Sequence, residues 1–316
     1  MRTIVHGVRT GVLTILVILF SLTSFSQAIS TFDGRLEIGA SIGPMFFLGD
    51  LGGNPGKGKG FVKDLNLPLT KMAKGLYATF HPDEAIGFRL AVNQGQVEGA
   101  DSVIHDQGGE EVDRMVRNLH FRSNILEFYG AVELYPTVFL EQYDGLQGKF
   151  RPYGLIGIGL FHFNPQGRFV DVDGSEKWVD LRPLHLEGQG MTEFPDRPEY
   201  KTTQVCIPMG LGFKFYPSET VYVGIEALMR KTFTDYIDDV SKNYIDPALF
   251  DKYLEPDETA VAYQMYNRGY GSLTRPANGD VRGNPKNNDS YFSTVLRLGW
   301  RFSTDRVPRS ALCPRY

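Results

Sequence analysis

The chain has 316 residues, with 33 Lys and Arg against 37 Asp and Glu; this mildly acidic balance, formal charge −4, argues against a nucleic-acid partner. It carries 16 Tyr, 22 Phe and 35 Gly, yet mean hydropathy is −0.23, so its apolar residues are not gathered into long membrane-helix runs. Cys206 and Cys313 stand too far apart for a metal or redox motif, and a disulfide between them is disfavoured by the Pro- and Arg-rich surroundings of Cys313.

The N-terminus reads as a secretory signal peptide: Arg2 and Arg9, an apolar run from Val12 to Phe20, then small residues at Ser24, Ser26 and Ala28. Cleavage after Ser26 or after Ala28 satisfies the small-x-small rule, and residues 1–26 are taken as the leader. The apolar run is shorter than the roughly 20 residues of a spanning helix, and no Cys follows it to accept a lipid. An exported chain with low mean hydropathy is either a soluble periplasmic protein or a membrane barrel, which hides its apolar residues at every second position.

Period-2 alternation marks eight strands, at about 35–47, 74–81, 86–97, 119–135, 150–164, 202–216, 220–231 and 290–303. The cleanest sets Val205, Ile207, Met209, Leu211, Phe213 and Phe215 against Cys206, Pro208, Gly210, Gly212 and Lys214. Short turns alternate with connections of about 26, 21, 37 and 58 residues, the sorting expected when short turns are periplasmic and long loops extracellular. This predicts an all-β fold: an eight-stranded antiparallel up-and-down transmembrane β-barrel over 27–303 in a bacterial outer membrane, with a periplasmic tail at 304–316. Aromatics near strand ends, among them Phe46, Phe47, Phe80, Tyr135, Phe161, Phe163, Phe215, Tyr216, Trp300 and Phe302, suggest interfacial girdles.

With the apolar faces toward lipid, the same parity sends Glu37, Arg89, Glu127, Glu133, Lys214, Glu226, Arg230, Arg297 and Arg301 into the lumen. So narrow a barrel barely holds its own side chains, so four acids and five bases are expected to pair as a plug. The fifth strand, with Gly154, Gly157 and Gly159, does not reveal which of its faces is inside.

The Gly-rich first loop, 49–60, lacks the Gly-Lys-Ser/Thr ending of a phosphate-binding loop and reads as flexible surface. The third loop, 166–200, carries Trp178, Phe194 and Tyr200, either as a contact surface or as a lid over the mouth. In the last loop Asp246-Pro247 predicts the start of a short helix running from 247 to about 267. Asp235, Asp238 and Asp239 are candidate metal ligands, but without EF-hand spacing a capped, solvated turn is the better reading. No cofactor motif is present. His81 and His162 fall at opposite barrel ends and no Gly-x-Ser-x-Gly elbow occurs, which disfavours a barrel-mouth lipid-modifying enzyme built on Ser41, Ser123 or His162.

The run Arg-Lys-Thr-Phe-Thr-Asp-Tyr-Ile-Asp-Asp-Val-Ser at 230–241, then Arg282-Gly283-Asn284 and Asn288-Asp289-Ser290-Tyr291-Phe292, resembles a Bacteroidota family of outer-membrane β-barrel proteins of largely unknown function. The similarity extends from Glu37 to Phe302; some relatives are barrels associated with the periplasmic ring of the type IX secretion apparatus. The tail after Phe302 departs from the usual aromatic barrel ending. The expectation is a non-enzymatic barrel with a structural or protein-interaction role. Its partners are outer-membrane lipid and, in the accessory reading implied by the resemblance, periplasmic or secretion-machinery proteins.

Overall fold

The computed structural model describes residues 35–51, 69–103, 117–139, 150–218, 220–268 and 277–303. The signal segment with its cleavage point, most of the Gly-rich loop, the 304–316 tail and the Cys206–Cys313 pairing lie outside these residues.

Among the described residues nine strands form: β1 (Arg35–Leu48), β2 (Lys71–His81), β3 (Ile86–Ala100), β4 (His120–Leu134), β5 (Phe150–Val170), β6 (Glu176–Asp180), β7 (Thr203–Phe215), β8 (Val221–Thr232) and β9 (Ser290–Ser303). All but β6 close into an eight-stranded antiparallel barrel, each strand paired with its neighbours and β1 paired back onto β9. Closure runs in one register from Arg35 opposite Ser303 to Leu48 opposite Ser290. No helix among the described residues is long and apolar enough to cross a membrane; the strands do so, because a closed sheet satisfies its backbone groups without water.

The outer wall explains the alternation. Leu76 is 67% exposed, Ile158 67%, Leu211 71% and Leu296 64%, and Leu90, Leu126, Ile156 and Ile225 also face outward. Apolar side chains in such number around a whole circumference need a lipid solvent, since soluble monomers rarely expose patches beyond a few hundred Å². The short turns hold their geometry locally: Asp83 Oδ1 accepts the amides of Ala85 (2.7 Å) and Ile86 (2.9 Å), and Ser218 Oγ accepts that of Val221 (3.1 Å).

Three local readings are corrected. β5 is 21 residues long and its odd positions face inward, with Tyr153, Phe161 and Phe163 buried. Gly157 and Gly159 also lie on that face, where a Cβ would press on Ala131 and on Tyr129. Phe47, Tyr135, Phe161, Phe163 and Tyr216 therefore form no interfacial girdle; they fill the interior, which strand-end position alone does not distinguish from a lipid-facing ring. The third connection begins as a β5–β6 hairpin and not as a loop, with Arg168 opposite Trp178.

The expected last-loop helix forms in pieces: a 3₁₀ turn at Pro247–Leu249, α1 (Phe250–Tyr253) and α2 (Pro256–Tyr266). Asp246 caps the first by accepting the Ala248 amide at 3.0 Å. Pro256 opens α2 because it cannot continue α1.

Leu76→Arg, at the middle of the lipid-facing side of β2, is expected to destabilise the barrel by about 2–4 kcal/mol in denaturant unfolding from lipid vesicles.

Candidate functional site

The interior is a stack of charge layers. Nearest the short turns, Lys214 Nζ donates to Glu37 Oε2 (2.6 Å), Glu133 Oε2 (3.1 Å) and the Tyr135 hydroxyl (2.7 Å). Glu37 Oε1 also accepts from Tyr216 (2.8 Å) and from Arg301 Nε (3.2 Å). In the middle layer Arg89 donates through Nε to Glu133 and through Nη1 to Glu226, both at 2.5 Å. Arg297 Nη1 donates to Glu226 (2.7 Å) and lays its guanidinium 3.6 Å from the centre of the Tyr77 ring.

Toward the long loops, Arg230 grips Glu127 with two parallel bonds of 3.1 Å, and Asn93 donates to the same carboxylate at 2.9 Å. The nine charged residues singled out by strand parity thus all lie on the inner face, eight of them nearly fully buried and Arg301 partly so. A cavity of about 10 Å³ remains between Lys74, Asn93, Glu226 and Ser293, about the room one water needs.

The tyrosines that complete this plug did not stand out as such, Tyr135 and Tyr216 reading as girdle residues and the other four carrying no assignment. Tyr77, Tyr129, Tyr135, Tyr153, Tyr216 and Tyr222 form most of an aromatic cluster between the charge layers. Tyr153 donates to Glu226 at 2.6 Å and Tyr222 to the Tyr77 hydroxyl at 2.8 Å. The signal was available, since Tyr129 shares parity with Glu127 and Glu133.

Above the plug, the described parts of the long connections pack into one cap with its own apolar core. Phe121, Ile125, Phe161 and Phe163 from the wall meet Leu186, Met191, Ile237, Ile245, Phe250 and Ala262 from the loops. Tyr200 stacks on Tyr236 with centroids 4.6 Å apart and planes 8° apart. Buried Glu187 ties the third connection to the last: it accepts the amides of Ser241 and Lys242 and Arg282 Nη1, each at 2.9 Å. Arg117 joins the others, donating to both oxygens of Asp101 (2.8 and 2.9 Å) and to the carbonyls of Asp50 (2.9 Å) and Arg282.

The acidic run of the last loop divides. Asp239, in left-handed backbone at φ 62°, turns its Oδ1 to the Tyr200 hydroxyl at 2.7 Å. Asp235 and Asp238 lie instead in a region shared with Asp289 and Asp50. The solvated turn expected there is buried: Asp238 and Asp289 are 0% exposed and Asp235 7%. Burial pushes Asp235 up to about 8 and Asp239 up to about 7. Burial first, then neighbouring carboxylate charge, raises Asp238 and Asp289 well above the usual range. Asp289 and Asp50 were not legible as partners, being separated from the run by the loop's full length and by most of the barrel.

No protein-family model and no curated protein matches the chain. Among solved structures it is similar to Ail, the attachment invasion locus protein of Yersinia pestis, at 10% identity over 85% of this chain and 97% of that one, TM-score 0.34. It is also similar to the outer membrane protein OprG from Pseudomonas aeruginosa (13% identity, 85% and 96% covered, TM-score 0.35). A major outer membrane protein from Thermus thermophilus is a third (12% identity, 85% and 99% covered, TM-score 0.37). The fold itself rests on this chain's own closed registers, and a closed barrel with an apolar outer wall is located in a bacterial outer membrane.

Arg89→Ala leaves Glu133 and Glu226 short of a partner in a dry interior and is expected to cost about 3–5 kcal/mol. Arg35→Ala, which removes the exposed pair with Glu84, should cost no more than about 1 kcal/mol in the same unfolding measurement. Glu187→Ala should leave the barrel folded, by its heat-modifiable gel mobility, and make the last loop cleavable by trypsin at Lys242.

Proposed function

We propose that this protein is a non-enzymatic outer-membrane barrel whose folded extracellular cap is a preorganised surface for a macromolecular partner. The supporting observation is the pairing of a charge-filled lumen with a cap that draws on all four long connections: Asp50, Arg117, Glu187 and Arg282 come one from each and are linked through Arg117 and Arg282. A filled barrel offers no path for solutes, whereas the packed part of the cap meets a partner without the entropy cost of folding on contact. Exposed Val172 on the β5–β6 hairpin, Tyr263 on α2 and Val281 give that surface apolar points among charges.

Two measurements test this reading. In planar lipid bilayers the purified protein should show no stepwise conductance; open-channel steps would overturn it in favour of transport. Crosslinking in native membranes, followed by mass spectrometry, should place partner crosslinks on cap lysines such as Lys177, Lys201 and Lys252. Crosslinks confined to the short turns, with recovery of periplasmic ring proteins, would instead favour an accessory role in a type IX-like secretion apparatus.

A further inference from the structure

We infer that Asp235, Asp238 and Asp289, beside Asp50, form a binding site for one hard divalent cation, calcium by its chemistry, that pins the last loop to the barrel mouth. The four come from neighbouring strand ends. Asp50 follows β1, Asp235 and Asp238 follow β8, and Asp289 precedes β9, which pairs with both.

Asp289, Asp238 and Asp50 are each fixed by a backbone amide of the last loop. Asp289 Oδ2 accepts the Ile237 amide at 2.8 Å, Asp238 Oδ1 that of Val240 at 2.9 Å, and Asp50 Oδ2 that of Asn284. Among the described residues Asp289 Oδ1, Asp238 Oδ2 and both oxygens of Asp235 are buried without a well-formed hydrogen bond, the Ser241 hydroxyl being the side-chain donor near Asp235. Asp289 Oδ1 lies against Gly49, where a Cβ would overlap it, so this oxygen abuts the turn that carries Asp50.

Among the described residues, the nearby guanidinium groups are committed elsewhere. Arg117 serves Asp101 and two backbone carbonyls, and Arg282 serves Glu187 and the Asp239 carbonyl (2.6 Å). Lys242 adds positive charge near Asp235, which among the described residues leaves Asp235, Asp238 and Asp289 with an excess of negative charge. Buried carboxylates of like charge need a cation or a proton. A donor set made only of oxygens selects a hard ion, and loop-borne ligands suit the irregular shell of calcium better than the strict octahedron of magnesium. Among the described residues no three His, Cys, Asp or Glu side chains already stand in ligand geometry, so this is a site that closes on its ion.

The test uses the full-length protein, folded in detergent and stripped with EDTA. Calorimetric titration should show one saturable Ca²⁺ per chain, bound at least tenfold more tightly than Mg²⁺. Tb³⁺ bound at the site should luminesce on excitation of tyrosine, with Tyr236 nearby in sequence, and Ca²⁺ should quench that signal by competition. Asp238→Asn and Asp289→Asn keep an acceptor for the backbone amides and should weaken binding more than tenfold, whereas Asp246→Asn, on the helix cap, should not. Heat-modifiable gel mobility verifies that each variant is folded; if a single variant misfolds, protection of Lys242 from trypsin by Ca²⁺ in the wild type carries the test. Absence of saturable binding to the folded wild type at millimolar Ca²⁺, or unchanged binding in a folded Asp238→Asn/Asp289→Asn variant, overturns the assignment.

Discussion

A chain that crosses a bilayer in strands must satisfy every backbone N–H and C=O within itself, and here that requirement is met only when β1 pairs with β9. Closure fixes what each second residue meets. Leu296 and Leu298 meet lipid, while Arg297 between them meets Glu226 across the lumen. A shift of one residue in the β1–β9 register would exchange these environments along the whole strand, bringing a guanidinium to lipid and a leucine to the charge layer. The pairing that closes the barrel and the polarity that fills it are therefore one constraint.

Filling the lumen with charge demands compensation, and the interior supplies it by sharing. Glu133 serves both Lys214 and Arg89, and Glu226 serves Arg89 and Arg297, so the layers interlock along the barrel axis. Tyrosine hydroxyls supply the remaining donors, and their rings supply bulk that charged side chains lack. The same device recurs in the cap, where Arg117 bridges the carbonyls of Asp50 and Arg282, and Arg282 joins the Glu187 carboxylate to the Asp239 carbonyl. There the balance shifts toward acid, which sets Asp235, Asp238 and Asp289 apart from the paired acids below.

Local pattern carried the eight barrel strands nearly to their ends, because the period-2 signal is imposed on each strand separately by lipid on one side and the lumen on the other. It failed on β5, whose glycines gave no contrast between faces, and on β6, a five-residue strand on a hairpin that rises clear of the barrel wall. It read α1 and α2 as one helix because the break depends on a single proline, Pro256, and on the Glu255–Glu258 capping box that opens α2. The aromatic girdle illustrates the same limit: Phe161 and Phe163 look interfacial by position, yet parity places them in the cap core.

By itself the sequence determined the eight barrel strands, the alternation of short and long connections and the inward parity of Glu37, Arg89, Glu127 and the other lumen charges, since strand and parity are written in neighbours two residues apart. Only the tertiary structure decided which charges pair, that the long connections share one core, and that Asp289 and Asp50 stand with Asp235 and Asp238 while Asp239 turns away. Those groupings join residues separated by up to most of the chain. They are set by the order in which strands close around the barrel and by the few loop conformations that can bury polar backbone over its mouth.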